Sequence, residues 1–408
     1  MKTVGIIAEY NPFHNGHRYQ IEEIRRRLDD PIIVAAMSGS FTQRGEPAVL
    51  DKFIRAQTAV GGGVDLVVEL PFVYAVRSAQ DFARGGVNIL SSIGIDYLAF
   101  GSELDDIDAI KNAADLTDSD DLKLMLKEKL SEGQSYARAM REALSSSVVF
   151  QPNAMLAVEY MRALRSTAIK PLLIKRIGAA HDAQTIEGMI SSASAIRAAI
   201  PDWTSISKAV DARTLEALRS NEPPSIEKLF LPLIIKIING STEELRSIYG
   251  MVEGLEYKLI GAARTVGNLN ELIGSIVGRR YTRSRIQRLL IHLMLGLTAE
   301  HVKKFDGVSY IRPLAFNERG RQLLRSIKNS GVPIVIKTAR HLTTRALYNR
   351  LPTLENYQQM LAFDVRATDL RELLCPTPRA GLDFYRSISL TVLNNAVIEC
   401  SNVSPPCK

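Results

Sequence analysis

Two histidines near the N-terminus, His14 and His17, are the residues whose type and spacing most directly indicate chemistry. With Gly16 between them, they lie where an apolar run has ended and a helical pattern begins. A helix N-terminus has unpaired backbone N–H groups and a positive dipole, and glycine lets a phosphate approach the backbone. Neutral imidazole donates a hydrogen bond to a phosphate oxygen, and protonated imidazole adds charge. The pattern predicts phosphate handling. A structural or metal-binding pair is the alternative, although no acidic or cysteine residues cluster nearby to complete a metal shell.

A second group, Ser192, Ser194 and Arg197, precedes and enters another predicted helix. Serine hydroxyls and helix N–H groups can bind phosphate oxygens, and an arginine adds positive charge. Serines before a helix are by themselves ordinary N-caps. Their pairing with the histidines favours a shared phosphate site.

The elements that must position these residues alternate between strand-like and helix-like patterns over the first 200 residues. Nearly apolar strands separated by helices predict an α/β fold with a parallel sheet that is covered on both faces. Ligands of such sheets bind at the carboxyl ends of the strands. The predicted strands are Thr3–Ala8, Ile32–Met37, Val64–Leu70, Tyr97–Phe100 and Pro171–Ile174. The predicted helices begin near Arg18 and continue with Asp51–Val60, Ala79–Ser92, Asp105–Ser145 and Asn153–Leu164.

The second half of the chain has a different composition and predicts a mostly α-helical region with one strand candidate, Pro333–Lys337. We therefore expect two domains, residues 1–205 and 206–408. Between Arg279 and Arg350 there are 16 lysine or arginine residues against three acidic ones, so the rest of the chain is net acidic. Clustered positive charge of this kind favours binding of a polyanion such as nucleic acid, and a set of solvated helix faces is the alternative.

The overall composition excludes several classes of protein. The 408 residues are 46% hydrophobic and 23% charged, which is typical of a soluble globular chain rather than a disordered one. Three cysteines, Cys375, Cys400 and Cys407, without a CxxC spacing exclude a disulfide scaffold and a cysteine zinc site. The absence of a signal sequence or a long apolar run predicts a cytoplasmic protein.

Two motifs connect the chain to a known superfamily. The segment His14-Asn15-Gly16-His17 resembles the HxGH motif of the nucleotidyltransferase superfamily, and 192–197 resembles its second motif, with Ala193 and Ser194 as departures. The longer segments 5–17, 37–47 and 65–71 resemble those of the bacterial tRNA(Met) cytidine acetate ligase family, through most of the chain. The resemblance implies a Rossmann-like HxGH nucleotidyltransferase domain followed by a mostly helical domain.

Membership of that family would imply an ATP-dependent ligase. Acetate and ATP would form acetyl-adenylate and pyrophosphate, and the acetyl group would pass to N4 of the wobble cytidine of elongator tRNA(Met), with release of AMP. His14 and His17 would be catalytic. The expected ATP-binding residues are Ile7, Ala8, Glu9, Tyr10, Asn11, Pro12, Phe13, His14, Asn15, Gly16, His17, Arg18, Tyr19, Gln20, Gly101, Asn153, Lys175, Arg176, Ser192, Ser194 and Arg197.

The remaining expectations concern acetate, metal and tRNA. Ser38, Ser40 and Gln43 follow the second strand and are acetate candidates, with a plain strand-to-helix turn as the alternative. Mg²⁺ is expected to accompany the nucleotide. Four arginines of the basic segment are expected to contact the tRNA backbone, namely Arg279, Arg280, Arg283 and Arg285.

Two other functions stay open at this point. One is a small-molecule adenylyl- or cytidylyltransferase of the same superfamily, and the other is a catalytically silent nucleotide-binding module that binds RNA. The additional basic half of the chain favours a macromolecular substrate over the first. The complete histidine motif disfavours the second.

Overall fold

The computed structural model describes residues 1–134, 136–143, 152–177, 185–186, 188–252, 254–328, 331–349, 354–386 and 388. Within these residues, a six-stranded sheet has the strand order β5-β4-β1-β2-β3-β6. All neighbouring pairs are parallel except β3 and β6, which are antiparallel. The strands are β1 (Thr3–Ala8), β2 (Ile32–Ser38), β3 (Leu66–Leu70), β4 (Tyr97–Ser102), β5 (Lys170–Lys175) and β6 (Pro313–Phe316).

Helices surround this sheet and form most of the second half of the chain. They are α1 (Asn15–Leu28), α2 (Lys52–Gly61), α3 (Phe72–Ala75), α4 (Ala79–Ile93), α5 (Ile107–Thr117), α6 (Asp120–Ser131), α7 (Tyr136–Ala143), α8 (Pro152–Leu164), α9 (Ala193–Ala198), α10 (Trp203–Ala209), α11 (Ala212–Ser220), α12 (Phe230–Asn239), α13 (Thr242–Ser247), α14 (Leu255–Ala263), α15 (Leu269–Ile276), α16 (Arg283–Leu295), α17 (Ala299–Lys304), α18 (Glu318–Ser326), α19 (Thr338–His341), α20 (Thr344–Asn349), α21 (Asn356–Leu373) and α22 (Leu382–Tyr385).

The two faces of the sheet are both buried, which confirms the α/β prediction. On one face, Ile21 and Ile24 of α1 pack in a cluster with Val4 of β1 and Ile33 of β2. The opposite face belongs to a larger cluster that includes buried residues of α4 and α8 and extends through the helices of the second half. The strands therefore consist almost entirely of apolar residues, because neither face meets water.

The five predicted strands of the first half are all present, with small differences at their ends. The long helical stretch predicted from 105 to 145 is instead divided into α5, α6 and α7, each with its own N-terminal start. The strand predicted at Pro333–Lys337 is wrong. There, Ile334 makes only an isolated bridge to Ile311, and the sheet's edge strand is β6. Edge pairing of a four-residue strand depends on distant partners, which a local pattern does not reveal.

The second half of the chain returns to the sheet of the first. Besides the pairing of β6 with β3, helix α21 packs on α3, and Arg371 of α21 donates to the carbonyls of Ala48 and Val49. The two-domain division at residue 205 stays a prediction, and the structure adds that residues after it complete the sheet. Among the helices that the structure describes, none is both long and apolar enough to cross a membrane.

Candidate active site

A cavity of about 320 Å³ lies at the carboxyl ends of β1, β4 and β5. The β1–α1 loop, the segments after β4 and β5, and the residues around the start of α9 all contribute to its wall. It brings together most of the residues predicted from the two motifs and the family resemblance. Those that line it are Ile7, Ala8, Glu9, Tyr10, Asn11, His14, Gly16, His17, Tyr19, Gln20, Gly101, Asn153, Lys175, Arg176, Ser192, Ser194 and Arg197, together with the acetate candidate Gln43.

The two histidines are part of the start of α1, which begins at Asn15 rather than near Arg18. His14 is the N-cap, and its Nδ1 accepts a hydrogen bond from the backbone N–H of Gly16 at 3.1 Å. In return, Nδ1 of His17 accepts from the backbone N–H of His14 at 3.2 Å. Since both Nδ1 atoms are acceptors, the proton of each neutral ring must be on Nε2. The helix cap therefore prepares two Nε2–H donors.

Neutrality of the rings follows from their surroundings. Burial, assisted by the positive charges of Arg176 and Arg197, lowers the pKa of His14 to about 3. The pKa of His17 is also lowered well below its ordinary value by burial, by His14 and by Arg176. The rings stack with their centroids 3.8 Å apart. Two neutral donors next to arginines can bind a phosphate oxygen on which negative charge increases in a transition state.

Packing behind the histidines fixes their orientation. Tyr10 and Phe13 are buried, and both rings contact the ring of His17, with centroid distances of 4.8 and 5.5 Å. The glycine between the histidines has a different role from the one that the sequence suggested. A Cβ at Gly16 would lie 2.9 Å from Cε1 of His14, so the space beside it is required by the capping imidazole rather than by a phosphate alone.

The second motif meets the first across the cavity. Arg197 donates through Nη1 to the carbonyl of Asn11 at 2.7 Å, and its Nη2 lies 3.5 Å from Oγ of Ser194. Ser192 is the N-cap of α9 and accepts from the N–H of Ala195. The ordinary capping role and the position in the cavity wall thus coexist for this serine.

The positive charge after β5 is arranged around Glu103. Arg176 lies 3.7 Å from Glu103, which also accepts hydrogen bonds from Nδ2 of Asn153 and from the N–H of Ala154. Burial lowers the pKa of Arg176, with Glu103 opposing the shift. Lys175 is more exposed and lies 3.4 Å from Asp105. These contacts place one guanidinium and one ammonium at the same side of the cavity.

Four of the expected ATP-binding residues between positions 7 and 20 do not line the cavity but support it. Pro12 and Phe13 are buried beneath it. Asn15 donates to the carbonyls of Met189 and Lys208, and Arg18 forms a 2.8 Å ion pair with Asp211. Asn15 and Arg18 therefore join α1 to the segment that carries the second motif and to α11.

The loop after β2 forms another wall of the cavity. Its residues Thr42, Gln43, Arg44 and Glu46 line the cavity, and the motif residues Arg44 and Glu46 were not among the predicted site residues. Their signal was available, since both lie in the segment 37–47 that carries the family resemblance. The backbone N–H of Gln43 donates to Oε1 of Glu9 at 2.6 Å.

The other two acetate candidates lie away from the cavity surface. Ser38 ends β2 and is fully buried, and Arg55 donates to its carbonyl. Ser40 is also buried and donates to Oγ1 of Thr368 on α21 at 3.1 Å. Neither serine is part of the cavity lining, because the second half of the chain covers this part of the loop.

The basic segment is only partly an exposed surface. Arg279, Arg280 and Arg283 are exposed, and Arg285 lies over the ring of Tyr281. Arg279 and Arg280 precede the helix, because α16 begins at Arg283 after the N-cap Thr282. The apolar residues Ile286, Leu289, Leu290 and Leu293 of α16 are buried. Elsewhere in the segment, Arg312 is buried in an ion cluster, so the charge count overstates the available surface.

Metal ligands are sparse in this region. Within the described part of the chain, no three histidine, cysteine, aspartate or glutamate side chains converge as a metal shell. The carboxylates in the cavity lining are those of Glu9 and Glu46.

Comparison with known proteins agrees with this geometry. Residues 1–382 match the HIGH nucleotidyl transferase family. The tRNA(Met) cytidine acetate ligases of Acetivibrio thermocellus and Caldanaerobacter subterraneus are 37% and 39% identical to this chain, over 95% and 84% of its length and 99% and 90% of theirs.

Solved structures show the same similarity. The apo crystal structure of Thermotoga maritima TmcAL has a TM-score of 0.86 and 31% identity, covering 95% of this chain and 99% of that one. The structure of TmcAL from the same organism bound with alpha-thio ATP has a TM-score of 0.84 and 30% identity, covering 96% of this chain and 99% of that one.

Proposed function

We propose that this chain is an ATP-dependent ligase that acetylates a tRNA. It belongs to the HIGH nucleotidyl transferase family and to the family of tRNA(Met) cytidine acetate ligases. The tRNA is elongator tRNA(Met), and the acetylated atom is N4 of its wobble cytidine. The observation that carries the proposal is the pair of Nε2–H donors fixed by the cap of α1 inside a cationic cavity.

The first step activates acetate. A carboxylate oxygen of acetate attacks the α-phosphorus of ATP, the bond to the β-phosphate bridging oxygen breaks, and pyrophosphate leaves. His14 and His17 donate to the oxygens on which negative charge increases, and Arg176, Arg197 and Lys175 screen the repulsion between the two anions. Activation is needed because the lone pair of cytosine N4 is delocalised into its ring.

The second step transfers the acetyl group. N4 attacks the carbonyl carbon of acetyl-adenylate, and AMP leaves. Gln43 is the acetate candidate that lines the cavity. The tRNA backbone is contacted by Arg279, Arg280, Arg283 and Arg285, of which the first three are exposed. The reaction takes place in the cytoplasm.

Magnesium enters with the nucleotide. Mg²⁺ commonly uses one or two carboxylates together with substrate phosphates and waters. The described lining residues include two carboxylates, which fits an ion that arrives on the phosphates of ATP better than one bound in a protein cage. The ion would neutralise the leaving pyrophosphate.

The test measures both steps with purified protein. Acetate-dependent exchange of pyrophosphate into ATP should occur without tRNA, and labelled acetate with ATP should acetylate tRNA in a reaction free of coenzyme A. Transfer from acetyl-coenzyme A alone would refute the ligase proposal. Acetate-independent transfer of the nucleotide to a small metabolite would instead identify a nucleotidyltransferase of the same superfamily.

A further inference from the structure

We propose that Glu9 binds the N4 amino group of the target cytidine and accepts its proton during acetyl transfer. This inference rests on the proposed function and assigns Glu9 to the second half-reaction rather than to ATP binding. Four observations carry it: the charge of Glu9, its hydrogen bond to Gln43, the position of Gln43 next to the basic helix, and the chemistry of the amine.

The charge of Glu9 is unusual in a cavity that binds ATP. Glu9 and Glu46 are the carboxylates among the described lining residues, and their surroundings differ. Glu46 has Arg197 at 3.7 Å, so an ion pair accounts for its presence. The Glu9 carboxylate accepts a hydrogen bond from the backbone N–H of Gln43 at 2.6 Å. The buried guanidinium of Arg55 acts on it through its charge, but the Arg55 N–H groups donate to backbone carbonyls, including that of Glu9 itself. A carboxylate that repels phosphates is better explained by a ligand with N–H groups.

Glu9 lies on the side of the cavity that faces the basic helix. Gln43 connects the two, since its carbonyl accepts from Nη1 of Arg288 on α16 at 3.4 Å. Its side-chain amide donates to the carbonyl of Arg77 at 2.8 Å. The contact is close, because a Cβ at Gly45 would lie 2.9 Å from the backbone nitrogen of Arg288. The loop after β2 thus contacts both the cavity and helix α16, which begins with the proposed tRNA contacts Arg283 and Arg285.

The proposed phosphate-binding groups lie on α1 and α9. His14 and His17 lie at the start of α1, and Arg197 reaches over the carbonyl of Asn11 from α9. Glu9 contacts Gln43, and the cavity lining also includes two aromatic residues from α4 and α8, Phe82 and Tyr160. Aromatic residues and a carboxylate in one cavity suit a planar base that carries an amino group.

The chemistry of transfer requires such a group. Carboxylates are the side chains that accept hydrogen bonds from cytosine N4. As the N4 lone pair forms a bond to the acetyl carbonyl carbon, the bond between that carbon and the AMP oxygen breaks, and its electron pair leaves with AMP. N4 then carries one hydrogen too many, and the Glu9 carboxylate takes it as a proton and later releases it to solvent. General-base assistance of this kind contributes roughly 10²–10⁴-fold in rate.

The variant Glu9→Gln tests the charge of Glu9 separately from its hydrogen bond to Gln43. Its side-chain carbonyl can still accept from the N–H of Gln43, so the loop after β2 keeps its anchor, while the ability to accept a proton is removed. Glu9→Asp keeps the carboxylate on a shorter side chain, and Glu46→Gln is the matched control for loss of a cavity carboxylate. Each variant is measured as full-length protein in both half-reactions.

The readouts are acetate-dependent ATP–pyrophosphate exchange, trapping of acetyl-adenylate by hydroxylamine, and single-turnover acetyl transfer to tRNA. For Glu9→Gln we expect transfer to tRNA to fall by roughly 10²-fold or more, and exchange and trapping by a much smaller factor. Glu9→Asp should recover part of the transfer, and Glu46→Gln should not separate the two half-reactions.

Three outcomes would overturn the inference. Equal loss of both half-reactions in Glu9→Gln would assign Glu9 to the nucleotide site. A loss of exchange that raised Mg²⁺ restores would make it a metal ligand, and unchanged transfer would show that it has no chemical role. Absence of acetate-dependent exchange in the wild-type protein is a different result, because that would refute the proposed function itself.

Discussion

Two groups of titratable side chains near the carboxyl ends of the strands differ in how their hydrogen-bonding capacity is used. In the first, the buried ion cluster, Lys52 lies 2.9 Å from Glu69 and 3.0 Å from Asp383, and Arg312 lies 3.1 and 3.0 Å from the same two carboxylates. In the second, the cavity, His14 and His17 use Nδ1 in the cap, while their Nε2 atoms have no partner among the described residues. Paired charges hold the fold together, whereas donors without a protein partner are available to a ligand.

Burial has opposite consequences in the two places. In the ion cluster, burial alone would raise the pKa of Asp383, but Arg312 and Lys52 keep it below its ordinary value. Burial would likewise lower the pKa of Arg312, which Asp383 and Glu69 raise instead. Among the described residues of the cavity, no carboxylate compensates the histidines, so burial lowers their pKa values and leaves them neutral. The presence of an opposite charge decides whether a buried group is ionised.

The largest effect is expected in the ion cluster. Lys52→Met leaves Glu69 and Asp383 sharing Arg312 alone, and removing one member of a buried ion pair typically costs about 3–5 kcal/mol. We expect a loss of that size in the free energy of unfolding, measured with urea, while the folded variant still exchanges pyrophosphate. Arg26→Met, which breaks an exposed pair with Glu23, is the control and should change stability little. A variant as stable as the wild type would contradict the structural role of the cluster.

For the cavity we expect the reverse, namely a loss of activity rather than a loss of stability. His17→Ala should lower acetate-dependent ATP–pyrophosphate exchange by roughly 10²–10³-fold, as loss of one donor to a transition state does. His14→Ala should behave alike, with an added loss of helix stability because His14 is the N-cap. Circular dichroism checks the fold. Exchange at the wild-type rate in either variant would remove that histidine from the proposed mechanism.

Lowering the pH should reduce the stability of the fold through the same two histidines. Their pKa values are lowered in the folded protein, so below about pH 6.5 the unfolded chain binds protons that the folded protein does not. The free energy of unfolding should therefore fall as the pH is lowered from about 6.5 toward 3, with His14 contributing about 1.4 kcal/mol for each pH unit and His17 acting in the same direction. His14→Asn keeps a capping side chain and removes one of these groups. If its pH dependence matched that of the wild type, His14 would not be neutral in the fold.

The smallest effect is expected for the arginines at the start of α16, whose charges are more exposed to solvent than those of the ion cluster and the cavity. Changing Arg280, Arg283 and Arg285 to Gln should weaken tRNA binding and reduce its salt dependence by roughly 0.7–0.9 log units per lost phosphate contact. Exchange without tRNA should persist. The matched control replaces the exposed Lys111, Lys123 and Lys127 of α5 and α6 with Gln. Normal tRNA binding by the arginine variant at several salt concentrations would show that these arginines are only solvent-exposed and do not contact tRNA.

The amino-acid sequence by itself determined the local elements and the position of the motifs. Strand β1 has the predicted limits, and the histidine motif lies directly between it and α1. These predictions succeeded because a buried parallel strand, a helix cap and a glycine have short-range signatures. The order of the motifs along the chain was enough to place most of the predicted nucleotide residues around one cavity.

The tertiary structure alone decided the rest, because it depends on pairs that are distant in sequence. Lys52 and Asp383 meet across 331 positions, and Ser40 is covered by Thr368, which removes that serine from the cavity lining. Arg312 is part of the basic segment in the sequence, but it is buried beside Glu69 and therefore stabilises the fold rather than forming a basic surface. The hydrophobic periodicity of the sequence does not reveal such contacts, since they follow from how the second half of the chain packs on the sheet.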